Sequence, residues 1–209
     1  MKAKTYAILG FVAPLLFWIT YVIMANLRQD YSIMKKAVSE LGSLDAPNMW
    51  WWNIFGYMIP GLFIALFSIG LYKNIAQDKA GRLPLYGLVL SGVFMMISGI
   101  FPGDFEQKTS TTMILHSVGS FGSYLCFLLA AFSYPKLLKA DPFWKNTIWP
   151  GLIITWLTIL FGNWPFVFPE FPAVGQRIVF MLYFLWIIYY AVQLLKKSLQ
   201  NKPLNFHKI

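Results

Sequence analysis

Six apolar runs, each about the length of a bilayer-spanning helix, constrain this chain more than any other feature. A helix rises about 1.5 Å per residue, so crossing the hydrocarbon takes about 20 mostly apolar residues. The runs cover residues 5–25, 51–72, 84–101, 112–134, 147–163 and 174–195. The third and fifth are the shortest and depend on interfacial flanks. The longest connection, Asn26–Trp50, leaves no room for a soluble domain between spans. The sequence therefore predicts an all-α fold: a polytopic membrane protein built as a six-transmembrane-helix bundle, one domain over residues 1–209.

Composition agrees. Only 12% of residues are charged, against about 25% in a typical soluble domain, so too few charges exist to cover a water-facing surface. The net charge of +9 would point to nucleic acid in a soluble protein. In a membrane protein the placement of the basic residues matters more, and no nucleic-acid partner is expected.

With the N-terminus inside, the inner segments hold Lys2, Lys4, Lys73, Lys79, Arg82, Lys136, Lys139, Lys145, Lys196, Lys197, Lys202 and Lys208 against Asp78 and Asp141. The outer segments hold Arg28, Lys35, Lys36, Lys108 and Arg177 against Asp30, Glu40, Asp45, Asp104, Glu106 and Glu170. Lys and Arg favour cytoplasmic loops, so the expected location is a plasma or inner cell membrane with both termini cytoplasmic. Lys2 and Lys4 ahead of an apolar run resemble a signal peptide. The run is too long for one and lacks a small-x-small cleavage site, so a retained helix is expected.

Tryptophans mark the expected boundaries: Trp50, Trp51 and Trp52 at the second span, Trp144 and Trp149 at the start of the fifth, and Trp164 at its end. Indole suits the headgroup zone because its ring is apolar and its N–H wants a partner. Between Tyr31 and Leu44 the apolar residues recur at helical spacing, with Asp30 or Ser32 to cap the start and Gly42 to end it. This predicts a short amphipathic helix in the first outer loop, with Lys35 and Lys36 toward headgroups. Pro60–Gly61 is a kink site. Small residues recur in span three (Gly87, Ser91, Gly92, Ser98, Gly99) and span four (Ser117, Gly119, Ser120, Gly122, Ser123). Close helix packing explains them first, and a polar cavity wall is the alternative.

Candidate functional residues gather on the outward side: Ser39 and Glu40 in the first loop, Asp104 where span three exits, His116 about one turn into span four, and Gln176-Arg177 at the start of span six. Charges inside a bilayer are costly and need partners. Arg177 is expected to snorkel, to pair with Asp104 or Glu40, or to bind a lipid phosphate. His116 is either a neutral packing residue or a proton-transfer group. No metal is expected: the second histidine, His207, lies in the inner tail, and one histidine with carboxylates has no diagnostic spacing. Ser39, His116 and Asp104 are the residue types of a hydrolytic triad, but no G-x-S-x-G elbow surrounds Ser39. No phosphate loop, dinucleotide fingerprint or haem motif identifies a cofactor. Cys126 is the sole cysteine, which excludes an intrachain disulfide, and it lies in an apolar run as a small buried hydrophobe.

The order Ser39-Glu40-Leu41-Gly42, Ala46-Pro47, Asn53, Phe101-Pro102-Gly103-Asp104, His116 and Gln176-Arg177 resembles the bacterial and archaeal membrane family called domain of unknown function 998. The likeness covers nearly the whole chain. A fainter one runs to the DRAM- and Sfk-type six-helix proteins, associated with lipid handling and membrane scaffolding. The resemblance implies Ser39, Glu40, Asn53 and Arg177 as ligand-binding residues and supplies no established activity.

Three functions compete. The first is an outer-face site that binds or modifies a lipid headgroup or small ligand, with His116 and Asp104 as an acid/base pair. The second is a structural subunit, with a protein partner or a second copy of the chain, in which the polar cluster only stabilises the fold. The third is transport of a small solute or protons, which the charge-poor midplanes disfavour. Membrane lipids are the expected partners throughout.

Overall fold

The computed structural model describes residues 1–75 and 81–200. Asp78, Lys79, Lys202, His207 and Lys208 lie outside the described residues. Among the described residues there are no strands, and six helices are long and apolar enough to cross a membrane. They are α1 (Ala3–Leu27), α2 (Met49–Ile75), α3 (Leu83–Ile100), α4 (Thr111–Leu138), α5 (Pro142–Val167) and α6 (Pro172–Gln200). Local signals set several ends. Pro84 sits in the first turn of α3, where its missing N–H costs nothing. Ser110 caps α4 by accepting from the Met113 N–H at 3.3 Å. Asp141 caps α5 by accepting from Phe143 at 2.8 Å, and α5 is broken into three pieces at 146–147 and at Asn163.

The helices pack as a ring in chain order, α1 on α2, α2 on α3, α3 on α4, α5 on α6 and α6 back on α1. The α4–α5 seam is the weakest link of that ring. These two helices are also the least covered by the rest of the chain. Only 22% and 17% of their apolar windows are buried, against 39–56% for the other four. Residues 28–48, 101–110 and 168–171 share one end of the bundle, called the loop end here.

Helix association in lipid gains little from apolar burial, so close backbone approach and interlocking side chains carry it. Gly61 of α2 and Gly92 of α3 stand back to back, Gly119 of α4 lies on the Ser98 backbone of α3, and Gly87 of α3 lies on α4 at Ala130. An aromatic core fills the centre. Phe17 meets Trp52 at 5.3 Å and Phe184 at 4.7 Å between ring centroids, and Trp186 meets Tyr190 at 4.3 Å.

Two expectations are corrected and a third is made specific. The first loop carries no amphipathic helix over 31–44: it forms turns and then a five-residue 3-10 helix, Val38–Gly42. Its backbone is held by partners from other elements, as described below, and not by its own ladder. Trp52 and Trp144 are not interface anchors but fully buried core residues, whereas Trp50, Trp51 and Trp149 are exposed. Each helix turns one indole inward, and boundary position alone does not reveal which. The irregularity before Pro60 is a π-helical stretch, Asn53–Met58, in which the Ile59 N–H reaches back to the Ile54 carbonyl. Pro60 has no N–H for the Gly56 carbonyl, and the wider turn absorbs that loss.

Candidate functional site

At the loop end the first connection folds down over the bundle, held by two arginines. Arg28, just past α1, is buried at 6% exposure. Its Nε donates to Asp30 at 3.0 Å, and its Nη groups donate to Asp45, to the Glu40 carbonyl and to Ser43 Oγ. Lys36 also pairs with Asp30. Hydrogen bonds from Arg28 and then Lys36 hold the Asp30 carboxyl far below the usual carboxylate range. Asp45 is also lowered: burial opposes the shift, and the bonds from Ser43 and Arg28 outweigh it.

The two depressed carboxylates set a pH dependence. A group whose pKa falls on folding stabilises the fold above its unfolded value, about 3.9 for Asp, and loses that contribution as pH drops toward the folded value. The loop is therefore expected to stay closed through neutral pH and to loosen below about pH 4. Hydrogen exchange of residues 29–48, normalised to the intrinsic exchange rate at each pH and followed from pH 5 to pH 2.5, should rise in that window. In an Asp30→Asn/Asp45→Asn double variant it should already be high at pH 5.

Arg177, in the first turns of α6, is the second clamp. Its Nε donates to Tyr21 Oη at 2.8 Å, Nη1 to the Ala173 carbonyl at 2.8 Å, and Nη2 to Tyr31 Oη at 2.6 Å and the Lys36 carbonyl at 2.9 Å. The guanidinium also lies 5.7 and 5.5 Å from the Tyr21 and Tyr31 ring centres. Burial keeps the Tyr31 phenol protonated by pushing it above its usual range, so its hydroxyl donates to the Ala37 carbonyl at 3.1 Å while accepting from Arg177. Arg177 thus reaches neither Asp104 nor Glu40. Two tyrosine hydroxyls and two carbonyls take their place.

Further bonds complete the clasp. Gln176 Oε1 accepts from the Val38 N–H at 2.7 Å, and the Ala173 N–H donates to the Met34 carbonyl at 3.2 Å. Asn53, fully buried in the π-helical stretch, donates to the Gly42 carbonyl at 2.9 Å. The Leu44 N–H donates to the Gly103 carbonyl at 3.0 Å. Gly42 is small of necessity, since a methyl there would collide with the Asn53 amide and the Trp52 ring.

Beneath the clasp lies a cavity of about 550 Å³, within the usual range for small-molecule sites. Its roof is Lys35, Ala37, Ser39 and Glu40; α4 and α6 supply most of its walls, α3 supplies Met95 and Ser98, and α5 supplies Gly162 and Pro165. The Tyr124 hydroxyl of α4 donates to Thr158 of α5 at 3.2 Å, and beyond it Phe132 meets Trp156 at 5.3 Å. Above that closure the two helices part. The wall residues Ser120, Phe121, Gly162 and Pro165 on either side are exposed on the bundle surface. The cavity therefore opens sideways through the α4–α5 seam, toward the surface that faces lipid.

His116 lines this cavity and is 3% exposed. Its Nδ1 lies 2.9 Å from the Ser98 carbonyl and 3.0 Å from the Phe101 carbonyl, at the C-terminal end of α3. Both partners are acceptors, so Nδ1 carries the hydrogen, and in the neutral ring Nε2 is a bare acceptor. Among the described residues Nε2 has no hydrogen-bond partner. Ser39 is also a buried residue, and its Oγ likewise has no partner among the described residues. Glu40 accepts from the Ala37 N–H through one carboxylate oxygen, leaving the other uncommitted.

Of the residues singled out in the sequence, Ser39, Glu40 and His116 line the cavity together with Gln176. Asn53, Asp104 and Arg177 do not. Asp104 accepts from the Gln107 N–H at 2.9 Å in its own loop through one carboxylate oxygen, and among the described residues no hydrogen bond joins it to His116. The sequence reading offered Ser98, Ser117, Ser120 and Ser123 as a polar cavity wall only as the alternative to helix packing, and it missed Tyr124 and Tyr183; all six line the cavity. The serine spacing in spans three and four was its only trace.

A ring of six membrane-length helices with a clasped loop over a side-opening cavity defines a multi-pass membrane protein. Within that class the chain belongs to the DUF998 family of proteins of unknown function, whose sequence model matches residues 11–193. No curated protein and no solved structure matches the chain.

Proposed function

We propose that this protein binds an amphiphile from the surrounding bilayer, taking its polar head into the cavity under the clasp while the tail leaves through the α4–α5 seam. The observation that carries this reading is the cavity's geometry. It has a polar roof and wall at the loop end, a side opening on the lipid-facing surface, and two buried side chains, His116 and Ser39, with free hydrogen-bonding atoms. A soluble ligand would call for an opening toward water alone. Lys and Arg placement supports a loop end on the outer face, with both termini cytoplasmic, so the ligand comes from the outer leaflet. Binding is favoured over turnover because Asp104 is not among the residues that line the cavity.

A filled cavity tests this. Ser117→Trp projects an indole into the wall from a half-buried lining position whose hydroxyl has no hydrogen-bond partner among the described residues. Native mass spectrometry of protein released from nanodiscs should show bound lipid on the wild type. The variant should lose at least nine-tenths of it while keeping its helicity. Unchanged lipid occupancy in the variant sinks the proposal.

A second reading also has an observation behind it. Arg28 and Arg177 have their guanidinium groups engaged within the chain, and Asn53 and Asp104 each make a bond there. That is what a structural subunit would show, whether its partner is another protein or a second copy. On that reading the same experiment finds no lipid in either protein.

A further inference from the structure

The walls of the cavity also constrain which headgroup it takes. We infer that the ligand is an uncharged, hydroxyl-bearing amphiphile, such as a diacylglycerol or a glycosyl diacylglycerol, and not an anionic phospholipid. The inference rests on the binding reading above and deepens it.

The reasoning is an inventory of charge and of donors and acceptors. Only two lining residues are ionised at neutral pH, Lys35 and Glu40. Both lie in the roof, and their charges cancel. Lys35 is exposed, so water largely solvates its ammonium. Both loop-end arginines are engaged away from the cavity, with each fork filled by protein acceptors. Phosphate recognition depends on such forks or on clustered cations. An anionic headgroup entering here would lose its hydration and meet a bare carboxylate at the roof. That transfer is unfavourable without a compensating cation.

The groups that are free suit hydroxyls instead. His116 Nε2 accepts only, because Nδ1–H is tied to two carbonyls. It therefore needs a donor from the ligand, which a phosphodiester or ester oxygen cannot provide and a hydroxyl can. Serine hydroxyls donate and accept. Ser98 Oγ and Ser120 Oγ sit 3.0 Å apart in a chain that can rotate toward a ligand. Ser39 Oγ has no hydrogen-bond partner among the described residues. Deeper in, Tyr183 and Ser91 bond each other at 3.0 Å, which leaves the floor neutral. Met95, Met113, Phe121 and Phe180 supply apolar surface for the first part of a tail.

The test is native mass spectrometry of detergent-purified protein titrated with three lipids of identical dioleoyl chains: diacylglycerol, glucosyl diacylglycerol and phosphatidylmethanol, an anionic phosphodiester with no hydroxyl. At least one of the two uncharged lipids should bind ten-fold or more tighter than phosphatidylmethanol. His116→Ala should erase that preference, and Asp104→Asn should leave it intact. Because His116 also ties down the end of α3, Ser39→Ala serves as an independent variant and should weaken the preferred lipid at least three-fold with an unchanged melting temperature. Phosphatidylmethanol binding as tightly as the others, in a manner blocked by Ser117→Trp, overturns the headgroup class and leaves the binding reading standing. Preference that survives both His116→Ala and Ser39→Ala also overturns it. If no lipid of the three binds in a manner sensitive to Ser117→Trp, the binding reading falls as well.

Discussion

Replacing Arg177 with alanine releases the first loop from the bundle. The guanidinium makes four hydrogen bonds, two to tyrosine hydroxyls and two to carbonyls, and three of these four acceptors lie on α1 or the loop. Hydrogen bonds to a charged group contribute about 1.5–3 kcal/mol each in isolation. They share one donor group and are not additive, so a net loss of about 3 kcal/mol is expected. For a chain of this length that corresponds to a melting point lower by roughly 6–12 °C. Hydrogen exchange should rise most at residues 31–44, and bound lipid should fall because the roof of the cavity moves. Arg177→Lys should recover only a minor part, since a single ammonium cannot span acceptors arranged around a planar fork. An alanine variant with wild-type exchange across 31–44 would mean that Arg177 is not the clamp.

Gly92→Val strikes the helix packing and not the loop. A side chain at Gly92 meets the Gly61 carbonyl and then the Ala65 backbone nitrogen at 2.8 Å. The reciprocal substitution at Gly61 meets the Gly92 carbonyl at 2.5 Å. The obstructing atoms are backbone on both sides, so no rotamer change makes room, and α2 and α3 must separate. Overpacking costs about 1–3 kcal/mol where neighbours can shift, and here the expected cost is at or above the top of that range. The predicted signature is a melting point lower by about 10 °C or more, with loss of monodisperse protein in mild detergent. Gly81→Val is the control, because among the described residues nothing lies within 4 Å of a side chain there, and it should melt with the wild type.

The two substitutions separate what was legible in the sequence from what was not. Membrane class, six spans and an all-helical fold follow from the apolar runs, because a backbone in hydrocarbon must satisfy its hydrogen bonds within the segment. The family motifs were legible as residues but not as roles. Asn53 and Arg177 were expected to touch a ligand, and instead they hold Gly42 and the tyrosine pair. A side chain's partner 156 residues away, as Tyr21 is from Arg177, leaves no mark on local spacing. The serines of span four carried a periodic signal that packing and cavity lining share equally.

The sequence by itself determined the solvent this chain lives in and the number of times it crosses, since both depend on the transfer of local segments and not on how they meet. Only the tertiary structure decided that α4 and α5 part at the loop end, that the first loop closes over the gap, and that His116 turns its bare nitrogen toward it. Those features depend on which helices touch. In a bilayer that choice rests on close steric fit and a few long-range hydrogen bonds, and neither is written in the hydropathy of any one span.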